Sequence, residues 1–164
     1  MKINAMTGAL LGALLLTLSN AYAETPAAKA DKPVHGEYRD WRVLGVSHRT
    51  EKNTLRSIVG NDKAIEAARS GKIKPWPDGA VIGKIVWKER PHPNWPSAIV
   101  PGEFSAAEAM IKDSKKFAET GGWGFGHWEG DKLVMNSKEK SAECFACHTT
   151  VKDADYVFTI PALP

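Results

Sequence analysis

Residues 74–89 read KPWPDGAVIGKIVWKE, and this stretch decides the fold class. Pro75, Pro77, Asp78 and Gly79 are turn residues: proline fixes φ, and Asp-Gly accepts conformations that bulkier residues avoid. They lead into the strongest strand of the chain, Ala80 to Trp87. Period-two alternation puts Val81, Gly83, Ile85 and Trp87 on one face and Ile82, Lys84 and Val86 on the other. Both faces are apolar except at Lys84.

Working outward, YRDWRVLGVSHRT (residues 38–50) and NTLRSIV (residues 53–59) are β-rich runs a few residues apart, which predicts two neighbouring strands. Between them and the central strand lies NDKAIEAARSGK, where Asn61 or Asp62 can cap, Ala64, Ile65, Ala67 and Ala68 favour helix, and Gly71 supplies the stop. A short helix is expected there. With four prolines, RPHPNWPSAIVPGEF (residues 90–104) reads as a loop. Ala106 to Ile111 is ambiguous and could be helix by propensity. GGWGFGHW and DKLVMN, split at Glu129-Gly130, read as a hairpin. The expected class is α+β, a mainly antiparallel sheet with a few short helices.

The first 23 residues carry Lys2, an apolar run through Leu11, Leu14, Leu15, Leu16 and Leu18, and small residues at Ala21 and Ala23. This pattern predicts a signal peptide (1–23) and a periplasmic destination. The apolar run is short for a membrane span, and no other segment is comparably apolar, so no span is expected after cleavage. ETPAAKADKPVHGE (24–37), rich in Ala, Pro and charge, reads as a flexible leader before one domain, 38–164. The formal net charge of +3 is spread along the chain, and no basic stripe points to nucleic acid.

Both cysteines of the chain fall in AECFACHTT, residues 142–150. Cys144, Cys147 and His148 fit C-x-x-C-H, the attachment motif of c-type haem. Two thiols at that spacing can add to the two porphyrin vinyl groups, and the adjacent imidazole then serves as proximal iron ligand. The other readings are a small disulfide loop, a redox pair and half of a zinc site. No second cysteine pair completes a zinc site, and a redox pair does not call for His148. One covalently attached haem c is therefore expected, with Cys144, Cys147 and His148 holding it and His148 on the metal.

A plain electron carrier needs a sixth ligand, for which Met110, Met135, His92 and His127 are candidates; His35 and His48 carry no signal. Met110 and Met135 also read as core residues, and His92 and His127 as exposed side chains. Lys84 has two readings. In one it is an edge-strand lysine whose stem lies on the sheet. In the other it faces the haem cavity, where desolvation lowers its pKa and makes the neutral amine a nucleophile. Arg56, between apolar neighbours, could hold a haem propionate or a polar ligand, or lie on an outer face.

YRDWRVLGV, GKIKPWPDGAVIGKIV, MIKDSKKFAETGGWGFGHW and CFACHTTVKDADYVFT, in this order and over nearly the whole chain after the leader, resemble the cytochrome P-460 family, which includes the β-sheet cytochromes c′. The resemblance implies a mostly antiparallel β domain, a homodimer, haem attached near the C-terminus and an open distal side. It turns Ala106 to Ile111 toward strand. Cys144 and Cys147 match the thioether cysteines, His148 the proximal ligand, and Lys84 the lysine that hydroxylamine-oxidising members bond to the porphyrin. The resemblance thus implies oxidation of hydroxylamine or nitric oxide, with electrons passed to another cytochrome. Non-catalytic binding of nitric oxide or carbon monoxide by a c′-type protein, and simple electron transfer, stand as alternatives.

Overall fold

The computed structural model describes residues 38–163. The expected signal peptide and leader lie outside the described residues. Six strands run β1 (Arg42–Arg49), β2 (Thr54–Gly60), β3 (Val81–His92), β4 (Trp95–Lys112), β5 (Trp123–Glu129) and β6 (Lys132–Met135). They form one antiparallel sheet in chain order, each strand pairing with the next. Two helices, α1 (Asp62–Arg69) and α2 (Lys138–His148), complete the α+β architecture that the sequence implies.

Alternation along β3 gives the sheet two apolar faces. On the front, Ile82 joins Ile58 of β2, Phe125 of β5, Leu44, Trp76 and Trp123 in one buried cluster, which α1 covers with Ala64, Ile65 and Ala67. Cys144 and Phe145 of α2 pack against the same cluster. On the rear, Val59, Ala107, Ala109, Trp128 and Tyr38 form a second cluster. Gly83 belongs to this rear face: a Cβ there would stand 3.0 Å from Val59 and 3.2 Å from the Trp128 ring, so glycine makes room for the indole. β3 is therefore an interior strand with side chains packed on both faces.

Asn61 explains why α1 starts where it does. Its Oδ1 accepts from the backbone N–H of Ala64 at 3.0 Å and of Val81 at 3.1 Å, while its Nδ2 donates to the Gly79 carbonyl at 2.9 Å. One side chain thus caps the helix and ties it to the start of β3, a role in which Asn→Ala typically costs about 1 kcal/mol. At the other end Gly71 takes φ +70°, where the helix stops.

Two expectations change. Residues 90–104 are not a loop: β3 runs on to His92 and β4 begins at Trp95, so the proline-rich stretch is a two-stranded ribbon. β2 pairs with β3 only as far as Lys88, and beyond it Pro91 faces Ile99 and Pro101 faces Glu89 across a pair that has no third strand. A proline with its nitrogen on an open edge forfeits no ladder hydrogen bond. The hairpin turn between β5 and β6 falls at Gly130-Asp131, one residue later than the sequence marks, with Gly130 at φ +61°. Ala106 to Ile111 is strand, within β4.

Candidate functional site

Ser137 opens α2 by accepting from the Lys140 N–H at 3.2 Å. The helix places Cys144 one turn before Cys147 and His148, so the three groups stand close together along its last turn. Both cysteines are free thiols, Cys144 half-buried and Cys147 exposed. Burial raises the Cys144 pKa, against the lowering effect of Lys140, which keeps it a protonated thiol. Asn136 donates to its sulfur at 3.8 Å.

His148 sits between two rings, its centroid 5.4 Å from Phe125 and 5.1 Å from Phe158. Its Nδ1 lies 2.6 Å from the Tyr156 carbonyl oxygen. A carbonyl only accepts, so Nδ1 carries the proton and the Nε2 lone pair is free for a metal. Burial lowers the His148 pKa, partly opposed by the Tyr156 hydrogen bond, and the neutral imidazole is the form that ligates.

The front face of the sheet carries the remaining groups in rows set by register. Ile82, Met110 and Phe125 form the row beneath His148; Ile58, Lys84, Glu108 and His127 form the next; Arg56, Val86 and Ala106 the one after. Lys84 meets the carboxylate of Glu108 directly across the strand pair. Their charges act on both His148 and Cys144. The edge-strand reading of Lys84 does not hold, because β3 is hydrogen-bonded on both sides at this position. Its side chain stays about one-third exposed and ion-paired.

Arg56 shares this face. Its Nε is buried and, among the described residues, lacks a hydrogen-bond partner. Burial lowers its pKa, as does Arg49, while Glu108 and Glu51 oppose them. Such an orphaned donor fits an anionic or polar group that the protein itself does not supply.

The candidate sixth ligands scatter. Met135 pairs with Gly126 on the rear face, and His92 lies near the tip of the ribbon. Met110 packs into the front cluster beside Phe125, while His127 is on the front with Nδ1 3.0 Å from Asn136 Oδ1. Glu108, Asn136 and the Tyr156 carbonyl are site groups that sequence reasoning missed. Glu108 had one signal: with residues 106–111 read as strand, it alternates with Ala106 and Met110 onto the face of Lys84.

Among the described residues no three His, Cys, Asp or Glu side chains converge as a metal-ion site. One imidazole with a free Nε2, two thiols a helical turn apart and an unpartnered guanidinium Nε–H suit a metal that arrives with its own four nitrogens, as in haem. No helix among the described residues is long and apolar enough to cross a membrane. A comparison with curated proteins finds no match. The sequence model of the family described as Cytochrome P460 matches residues 35–159, from before β1 to beyond the haem motif, and the chain belongs to that haem-binding family.

Proposed function

We propose that this protein is a periplasmic c-type mono-haem cytochrome that oxidises hydroxylamine or nitric oxide and passes the electrons to another cytochrome. The observation that carries the reading is the Lys84–Glu108 pair on the sheet face that α2 overlies with Cys144 and His148. Haem, when bound, would supply a redox-active iron able to take up a small nitrogen ligand. Cys144 and Cys147 would hold it through thioethers, and His148 would bind its iron through Nε2. Arg56 offers its buried Nε–H to a propionate or to the polar ligand.

Oxidising hydroxylamine releases protons as well as electrons, and Glu108 is the carboxylate placed to accept them. Glu108 serves Lys84 in the same way. With the ammonium proton taken up by Glu108, the Lys84 amine would be a nucleophile able to bond a porphyrin ring carbon. Replacing one N–H and one ring C–H by N–C is a two-electron oxidation, so that bond needs an oxidant of the peroxide class. A gas-binding cytochrome of the c′ type is the second reading. The ion pair is compatible with it as well, because a Lys84 nitrogen that stays engaged by Glu108 makes no bond to the ring.

The partners follow from this reading: a small nitrogenous or diatomic ligand, an electron-accepting cytochrome and a second copy of the chain. For the last, Val46 and Phe104 are 79% and 54% exposed on the rear face, beside Leu55 and Trp87, an apolar strip of the kind another protomer covers. The deciding experiment compares hydroxylamine turnover of wild type, Lys84→Ala and Glu108→Gln holoproteins. Loss in both variants, with carbon monoxide binding retained, supports the oxidase; wild type without turnover leaves the gas binder.

A further inference from the structure

We propose that the buried ion pair of Lys112 and Asp155 is a positioning device for His148, holding the Tyr156 carbonyl against Nδ1 and thereby setting the donor strength of the imidazole. The inference rests on the reading of His148 as the axial ligand.

Asp155 and Tyr156 are consecutive non-glycine residues in the left-handed region, with φ of +51° and +64°. Such a pair persists only where its surroundings over-determine it. Here they do. Lys112 Nζ donates to both carboxylate oxygens of Asp155 at 2.8 Å and to the Gly121 carbonyl at 3.1 Å. The Trp76 N–H donates to the same carboxylate at 2.8 Å, and the Trp123 indole N–H to the Asp155 carbonyl, also at 2.8 Å. A Cβ at Gly121 would lie 2.3 Å from the Tyr156 ring, so only glycine lets the turn settle there.

Every one of these grips comes from the sheet or from the turns that flank its strands. Lys112 is the last residue of β4, and Trp123 the first of β5. The sheet framework therefore grips the turn at 155–156, which is tied as well to the 3-10 turn that follows α2, the Asp155 and Tyr156 N–H groups donating to the Lys152 and Val151 carbonyls. The His148–Tyr156 hydrogen bond thus closes a loop between α2 and a turn that Lys112 pins to the sheet, and loosening the Lys112–Asp155 contact should lengthen it. A firm acceptor at Nδ1 gives the imidazole imidazolate character, strengthens its bond to iron and favours the ferric state. Lys112 and Asp155 touch neither haem nor substrate in this account; they act through Tyr156.

The test is resonance Raman spectroscopy and redox titration of ferrous and ferric holoprotein from wild type, Lys112→Met and Asp155→Asn. The iron–histidine stretch should move to lower frequency and the reduction potential should rise in both variants. Ile65→Ala, a buried deletion on α1, serves as control: it should lower stability without moving either value. An unmoved band in the variants, or an equal shift in the control, overturns the proposal. Should neither variant yield holoprotein, wild type alone decides: the His148 Nδ1 proton should exchange slowly with solvent, and exchange as fast as that of an exposed imidazole overturns the proposal. A histidine band that survives His148→Ala would instead refute the axial assignment, an outcome separate from these.

Discussion

Asp155→Ala should be among the most destabilising single substitutions in the domain. The Lys112 side chain is 5% exposed and that of Asp155 11%, so removing the carboxylate leaves the ammonium in the interior with the Gly121 carbonyl and the Trp123 ring face beside it and Asp78 as the remaining nearby carboxylate. Breaking a buried pair from one side costs about 3–5 kcal/mol. The Trp76 N–H loses its acceptor as well, a loss of about 1–3 kcal/mol that overlaps with the first. A cost near 4 kcal/mol is a large share of the roughly 5–15 kcal/mol that a domain has. With a urea m-value of about 2 kcal/mol/M, the midpoint should fall by about 2 M. Adding Lys112→Met should recover part of this, because the double variant no longer buries a lone charge; the orphaned Trp76 amide remains. Equilibrium urea unfolding of wild type, Asp155→Ala, Lys112→Met and the double variant as holoproteins, followed by tryptophan fluorescence, measures each step. A cost for Asp155→Ala below about 1 kcal/mol, the range of exposed pairs, would show that Lys112 reaches water and would refute the reasoning.

Asp78 accepts from the hydroxyl and the backbone N–H of Ser114, which hold its carboxyl below the usual range. A depressed folded pKa contributes stability above the unfolded value, about 3.9, that is lost as pH falls through the folded value. Asp78→Ala should therefore lower the urea midpoint at pH 7 and flatten the acid-side decline; an unchanged decline below pH 4 would contradict the assignment. Val46→Glu with Phe104→Glu should halve the mass of the wild-type particle in light scattering, since two charges cannot be buried on that strip without partners. A wild-type monomer would rule out the dimer.

The sheet was legible because burial on two faces imposes period-two alternation, and β3 shows it from Val81 to Trp87. α1 was legible from Asn61 and Gly71, residues whose chemistry marks helix ends. α2 was not: it has no buried residue among Lys138 to His148, hence no apolar stripe to betray a helix, and only the haem motif stood out. The ribbon of residues 90–104 was misread because proline counts against a strand only where a neighbour needs its N–H. Lys84 was singled out as the one charge on an apolar strand, yet its partner Glu108 depends on register, which a single strand does not reveal. The Lys112–Asp155 contact spans 43 positions and joins a strand end to a turn after the motif, so no local pattern marks it.

Mass spectrometry of tryptic peptides from the purified holoprotein tests the central claim most directly. Thioether attachment predicts that residues 141–152, which hold Cys144, Cys147 and His148, carry haem through acid and organic extraction. A bond to Lys84 blocks cleavage there and predicts one species in which haem joins residues 141–152 to residues 73–88. Haem on residues 141–152 alone, with cleavage at a free Lys84 and no hydroxylamine turnover, would contradict the oxidase, and haem lost on extraction would contradict the covalent site itself.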